Sequence, residues 1–225
     1  KGVGSQGDGA AQLLARSAED QAAVRDIIAR DLRMETLALT IAPPAGVRKA
    51  VIPAAGFSTA LYPASKAVKT ELFPVVEAPG GAAKPLILLH VEQLVEAGIE
   101  EVVVVVQAED TPLFQRLFHQ ADSHENFSKL PATKQKEARR MLELGQHVTL
   151  VEQPMQEGFG HALHCASSAV GPEPFLLVIG HHVYRSTGPV SVAQQVMDAY
   201  VRHQCSVVSL MYTNVDDVHC FGTAG

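Results

Sequence analysis

Three short stretches concentrate the residue types that handle anions and protons. Ala54-Ala55-Gly56-Phe57-Ser58-Thr59 follows directly on the apolar run Lys49–Pro53, and its small side chains would let backbone N–H groups approach phosphate oxygens closely. The same composition suits a tight strand-to-loop turn, and the G-K-[ST] ending of a Walker loop is missing. Gln153-Pro154-Met155-Gln156-Glu157-Gly158-Phe159-Gly160-His161-Ala162 stands between an apolar run and a helical one. Glycines there admit a ligand to the helix start, and glutamine offers a donor and an acceptor to a base edge. Gly180-His181-His182 ends a third apolar run. Paired histidines can ligate a metal or act as acid and base, although neighbours on a strand point to opposite faces and rarely hold one ion. His161, His164 and Cys165 form a further group, the histidines one helical turn apart, which core packing or capping explains as well as a metal site shared with His181 and His182.

These stretches need elements to hold them. From Arg48 onward short apolar runs alternate with helix-length periodic segments. Lys49–Pro53 reads as a strand, Pro85–Ala97 as an amphipathic helix closed by Gly98, and Glu101–Val106, with five consecutive valines, as a central parallel strand. Helices over Thr111–Asp122 and Thr133–Leu144 follow, the second charged enough to be mostly exposed. His147–Val151 is a strand, Gly160–Val170 a helix, Phe175–Ile179 a fully apolar strand, Val190–His203 a helix and Ser206–Met211 a strand. Alternation of this kind predicts an α/β fold: an open, mostly parallel sheet with helices on both faces, whose ligands bind beyond the C-terminal strand ends. Ahead of it, residues 1–47 read as an extension: a Gly-rich start, then one helix from Ser17 to about Leu32 with Val24, Ile27, Ile28 and Leu32 on one face. Residues 48–225 form the main domain.

Composition narrows the partners. The formal net charge of -6 gives no reason to expect nucleic acid or an anionic membrane. The three cysteines, Cys165, Cys205 and Cys220, form no C-x-x-C pair, which argues against a disulfide framework or thiolate zinc site and for a reducing, intracellular setting. No apolar run reaches membrane-spanning length. A start at Lys1 and an end at Gly225, just after an apolar run, suggest a piece of a longer protein.

Taken together and in order, the motifs resemble the sugar-nucleotide pyrophosphorylases, and among them the bacterial-type UTP–glucose-1-phosphate uridylyltransferases. Lys49–Pro74, KAVIPAAGFSTALYPASKAVKTELFP, is similar to the signature A-A-G-x-G-T-R-x-x-P-x-T-K-x-x-x-K-E-x-x-P. Lys84-Pro85 with EAGIEEVVVVV, the Gln153…Gly158-Phe159-Gly160-His161-Ala162 segment, and Glu173-Pro174-Phe175 through Gly180 resemble the units that follow. The resemblance implies a nucleotide-diphospho-sugar transferase fold, with the sugar-binding half beyond Gly225. It implies that Ala54, Ala55 and Gly56 give N–H groups to base and phosphates, and that Gln153 and Gly158 meet the uracil of UTP or UDP-glucose. The implied reaction is attack of a sugar 1-phosphate on the α-phosphorus of UTP, releasing pyrophosphate with Mg²⁺ present.

The departures fall on the cations and the metal ligand. Ser58 replaces a loop glycine and crowds the triphosphate, Ala60 replaces an arginine, Thr70 replaces a lysine, and His181 replaces an aspartate that binds Mg²⁺. Lys69 adjoins the missing lysine and is the candidate substitute. Loss of one preorganised charge-stabilising group costs on the order of 3 kcal/mol of barrier. The expectation is therefore a nucleotidyltransferase-fold protein with no intact catalytic set, kept as a binding or scaffold subunit among protein partners. Its place would be intracellular, in the cytoplasm or in a cytoskeletal or organellar assembly. The competing expectation is an active uridylyltransferase that uses Lys69, with Glu71 helping to hold Mg²⁺.

Overall fold

A computed structural model describes residues 26–27, 30–31, 46–76, 81–121 and 127–220. The expected N-terminal helix falls almost wholly outside them, with Asp26 and Ile27 helical, and the Gly-rich start lies outside them altogether. The chain divides into two compact units, Lys1–Pro43 and Pro44–Gly225. The second unit holds all three candidate stretches.

Four parallel strands make its sheet: β1 (Lys49–Pro53), β4 (Glu101–Val106), β5 (Val148–Glu152) and β6 (Phe175–Leu177), in the order β5-β4-β1-β6. Two short antiparallel strands, β2 (Pro74–Val75) and β3 (Lys84–Pro85), pair separately. Side chains along a strand alternate between its faces, and here both faces are buried. Ala50, Ile52, Val102, Val104 and Val106 belong to one buried cluster, while Val51, Val103 and Val105 belong to another on the opposite side. The five valines of β4 have no exposed surface.

Helices cover both sides. One face is covered by α1 (Leu86–Glu96) through Ile87, Leu88, Val91 and Leu94, and by Phe114 and Phe118 of α2 (Thr111–Phe118). Leu144 of α3 (Ala132–Gly145) belongs to the same cluster. On the Val103 face, α4 (Phe159–Val170) presents Ala162, Ala166 and Val170, four residues apart. Met197 of α5 (Val192–His203) completes the first cluster. As its charge predicts, α3 buries only Leu144 and Gly145. The open parallel α/β sheet with helices on both faces is the architecture expected from the sequence.

Two expectations need correction. Ser206–Met211 forms no strand: Val208, Leu210 and Met211 are 76%, 69% and 85% exposed. An apolar β-branched run supplies propensity, but a strand exists only by pairing, and this run pairs with nothing among the described residues. The strand expected over Phe175–Ile179 ends at Leu177, and Phe175 and Leu177 stay over a third exposed because β6 pairs, among the described residues, with β1 alone.

The strand order sets where a ligand crevice opens. From β1 the chain moves outward through β4 to β5, then crosses back to place β6 on the other side of β1. The reversal lies between β1 and β6, and crevices in open α/β sheets form outside the C-terminal ends at such a point.

Candidate functional site

The loop leaving β1 begins at Ala54, whose N–H donates to the Val105 carbonyl at 2.7 Å and keeps the backbone in line with β4. Ala54 and Ala55 are buried, and Ala55 packs with Ala162 and Ala166 of α4. The Ala55 carbonyl accepts a 2.6 Å hydrogen bond from Nε2 of Gln107, a buried side chain just past β4. Among the described residues, the N–H groups of Ala55, Gly56, Phe57 and Ser58 find no backbone acceptor. Successive unpaired N–H groups of this kind form a concavity for an anion. Ser58 holds φ 55°, ψ 45°, the left-handed conformation that glycine adopts without cost.

A charged pair lies beside the loop. Lys69 Nζ donates to the Gly56 carbonyl at 3.3 Å and lies 2.8 Å from Asp110 Oδ2, a close ion pair without the alignment of a hydrogen bond. Both side chains are little exposed, at 12% and 11%. Thr70 and Glu71 follow in a short 3₁₀ turn and are buried, and among the described residues Thr70 Oγ1 and Glu71 Oε2 have no hydrogen-bond partner. Burial pushes the Glu71 carboxyl above its ordinary range, partly opposed by its backbone hydrogen bond and by Lys69.

Gly180 sits at the switch point. A Cβ there would lie 3.0 Å from Glu71 Cγ, 3.1 Å from Ile52 Cγ2 and 3.2 Å from the Pro53 carbonyl, so a larger residue requires these neighbours to give way. Its carbonyl lies 3.2 Å from Nε2 of His90 on α1, which is buried. Desolvation lowers the His90 pKa from 6.5 to about 4, against the opposing pull of the Gly180 and His182 carbonyls. A neutral imidazole therefore donates Nε2–H to Gly180. Next in the chain, His181 and His182 lie in a turn, with the His182 N–H bonded to the Ile179 carbonyl. Their rings meet edge-on at 4.8 Å, which corrects the expectation that they face opposite ways: that geometry belongs to a strand, and the strand has already ended.

The Gln153 segment is tied down chiefly by itself. The Gln153 N–H continues the β5 ladder to the Val106 carbonyl, and its Nε2 donates to the Gly158 carbonyl at 3.2 Å. His161 Nδ1 lies 2.9 Å from the Met155 carbonyl, and His161 Nε2 is 3.7 Å from Cys165 Sγ. Gly158, the N-cap of α4, has φ 93°, ψ -175°, a region nearly closed to other residues. The histidines and cysteine that a shared metal site would need are divided: His161 and Cys165 pair on α4, whereas His182 packs with Tyr184, which meets His90. Among the described residues no group of three or more His, Cys, Asp and Glu is placed to hold a metal ion.

The first stretch thus packs through Ala55 against Ala162 in the second, and Gly180 of the third lies against the end of β1 and Glu71. Residues 49–224 match the family model described as nucleotidyl transferase. The chain belongs to the nucleotidyl transferase family.

Similar proteins sharpen this. UTP--glucose-1-phosphate uridylyltransferase of Bacillus subtilis is 29% identical over 176 residues, covering 78% of this chain and 58% of that protein. The Staphylococcus epidermidis protein of the same name is 32% identical over 183 residues, with the same coverage. A UDP-glucose pyrophosphorylase structure complexed with UDP-glucose superimposes with TM-score 0.62 at 28% identity, over 76% of this chain and 60% of that one. A UTP-bound enzyme from Acinetobacter baumannii gives 0.53 at 29%, over 70% and 54%. This nucleotidyl transferase chain is a divergent member of that group and spans about three-fifths of the length of the relatives it matches.

Mg²⁺, which the family resemblance implies, is poorly matched by the donors present. His181 stands where the ligand is expected, its ring lies against His182, and imidazole is a poor ligand for this oxygen-seeking ion. Sequence reasoning missed Gln107 and Asp110. A buried polar residue directly after five valines, and an aspartate opening the next helix, were the available signals.

Proposed function

We propose that this chain holds a uridine nucleotide across the loops after β1 and β5, with transferase turnover largely lost, and works as a binding or scaffold subunit with protein partners. Ala54, Ala55 and Gly56 would meet the phosphates and base through N–H groups; Gln153 and Gly158 would border the uracil. The observation that carries this reading is the 2.8 Å Lys69–Asp110 pair. Alanine, threonine and histidine stand at positions 60, 70 and 181. The substitute cation, Lys69, is neutralised by a carboxylate. Phosphoryl transfer depends on cations and metal placed around developing charge, and their loss removes several kcal/mol of stabilisation.

An intracellular place fits the free Cys165 and Cys205, and among the described residues no helix is long and apolar enough to cross a membrane. The second reading, an active uridylyltransferase, draws on the unpartnered Glu71 Oε2 and the names of the relatives.

Pyrophosphate release from UTP and glucose 1-phosphate by the full-length protein, with Mg²⁺, separates the two. No release at high enzyme concentration is expected, and robust release overturns the proposal. His181→Asp with Ala60→Arg should raise activity, with Thr70→Lys added in a second variant because position 70 is buried.

A further inference from the structure

An aspartate at a helix N-cap normally turns its carboxylate onto the N–H groups of the first turn. Asp110 is the N-cap of α2 and makes no such bond; its backbone is αR, with φ -92° and ψ -17°. Its carboxylate goes instead to Lys69, with Oδ2 2.8 Å from Nζ and no aligned donor.

Three further observations bear on that pair. Lys69 Nζ is also 3.3 Å from the Gly56 carbonyl, so the ammonium lies beside the loop whose N–H groups at 55–58 lack backbone acceptors among the described residues. Both partners are withdrawn from water, and a buried carboxylate with one unaligned partner is poorly compensated. Thr70 and Glu71, 4% and 2% exposed, each keep an unpartnered side-chain oxygen in the same short turn. A cation and a row of N–H groups are thus assembled as for an anion, and a side-chain carboxylate satisfies the cation.

We propose that Asp110 is an internal stand-in for a nucleotide phosphate: it occupies Lys69 until a phosphate displaces it, and so sets the affinity of the site for nucleotides over nucleosides. The proposal rests on the nucleotide-binding reading and adds a determinant to it. Asp110 competes only with the charged part of the ligand, so its removal should strengthen binding of UTP and leave uridine unaffected.

The test is calorimetric titration of the whole protein with UTP and, separately, with uridine. Asp110→Asn keeps the side chain's shape and removes its charge; Asp110→Ser, a favoured N-cap, guards against a folding defect. Both should tighten UTP by roughly tenfold, the scale of a close charge pair, without changing uridine. Adding Lys69→Met should abolish the gain. If wild type binds UTP and neither folded variant binds it more tightly, Asp110 is no stand-in and this proposal alone falls. If neither UTP nor uridine binds wild type or variants, the nucleotide-binding reading falls and takes the proposal with it.

Discussion

Ser58, His90 and Glu71 each hold a state that a free residue would avoid. A non-glycine residue in the left-handed region costs roughly 1–2 kcal/mol, and glycine returns about 0.5–1 kcal/mol of that as extra unfolded-state entropy. Ser58→Gly should therefore stabilise the fold by about 0.5 kcal/mol net, read by urea denaturation; a loss of stability would contradict the φ of 55°. His90 has a folded pKa of about 4 against an ordinary 6.5, so the unfolded chain binds its proton more readily. Its contribution is complete above pH 6.5 and is lost as pH falls toward 4, by about 3 kcal/mol at most. His90→Gln should flatten the stability profile in that window, and an unchanged profile would contradict the assignment. Glu71 has the opposite sign: its carboxyl is raised by burial, so its penalty grows as pH rises above the ordinary carboxylate range. Glu71→Gln should gain thermal stability over wild type at about pH 8, with the difference closing below about pH 4.5.

At the scale of elements, packing at one glycine fixes the α2–α3 contact. A Cβ on Gly145 would overlap the Phe118 carbonyl, and His119 Nε2 sits 3.1 Å from both the Gly145 and Val148 carbonyls. Gly145→Ala must push backbone apart and should cost about 3 kcal/mol, measured by chemical denaturation. Near-neutral behaviour would mean that the contact is looser. Elements such as β4 and α4 were legible because their patterns are local: five valines for a strand buried on both faces, and a glycine-opened run of helical length for α4. Ser206–Met211 misleads because a strand needs a neighbour, which no pattern within the run itself can supply. The His181–His182 contact was hidden because the end of β6 depends on where pairing to β1 stops.

For the molecule as a whole, the loops at the strand ends were legible as candidates from glycines and small residues after apolar runs. The Lys69–Asp110 pair was not, because it joins residues far apart in the chain through the fold. The central claim is that these loops keep a nucleotide-binding form while the charges expected at positions 60, 70 and 181 are absent and Lys69 is neutralised. Hydrogen–deuterium exchange of the full-length protein with UTP, glucose 1-phosphate and Mg²⁺ reads the loop amides directly, and the same sample can be assayed for UDP-glucose. Slower exchange over residues 54–60 and 153–160, without product, is the predicted result. No protection in either loop, or protection accompanied by steady product formation, would contradict it.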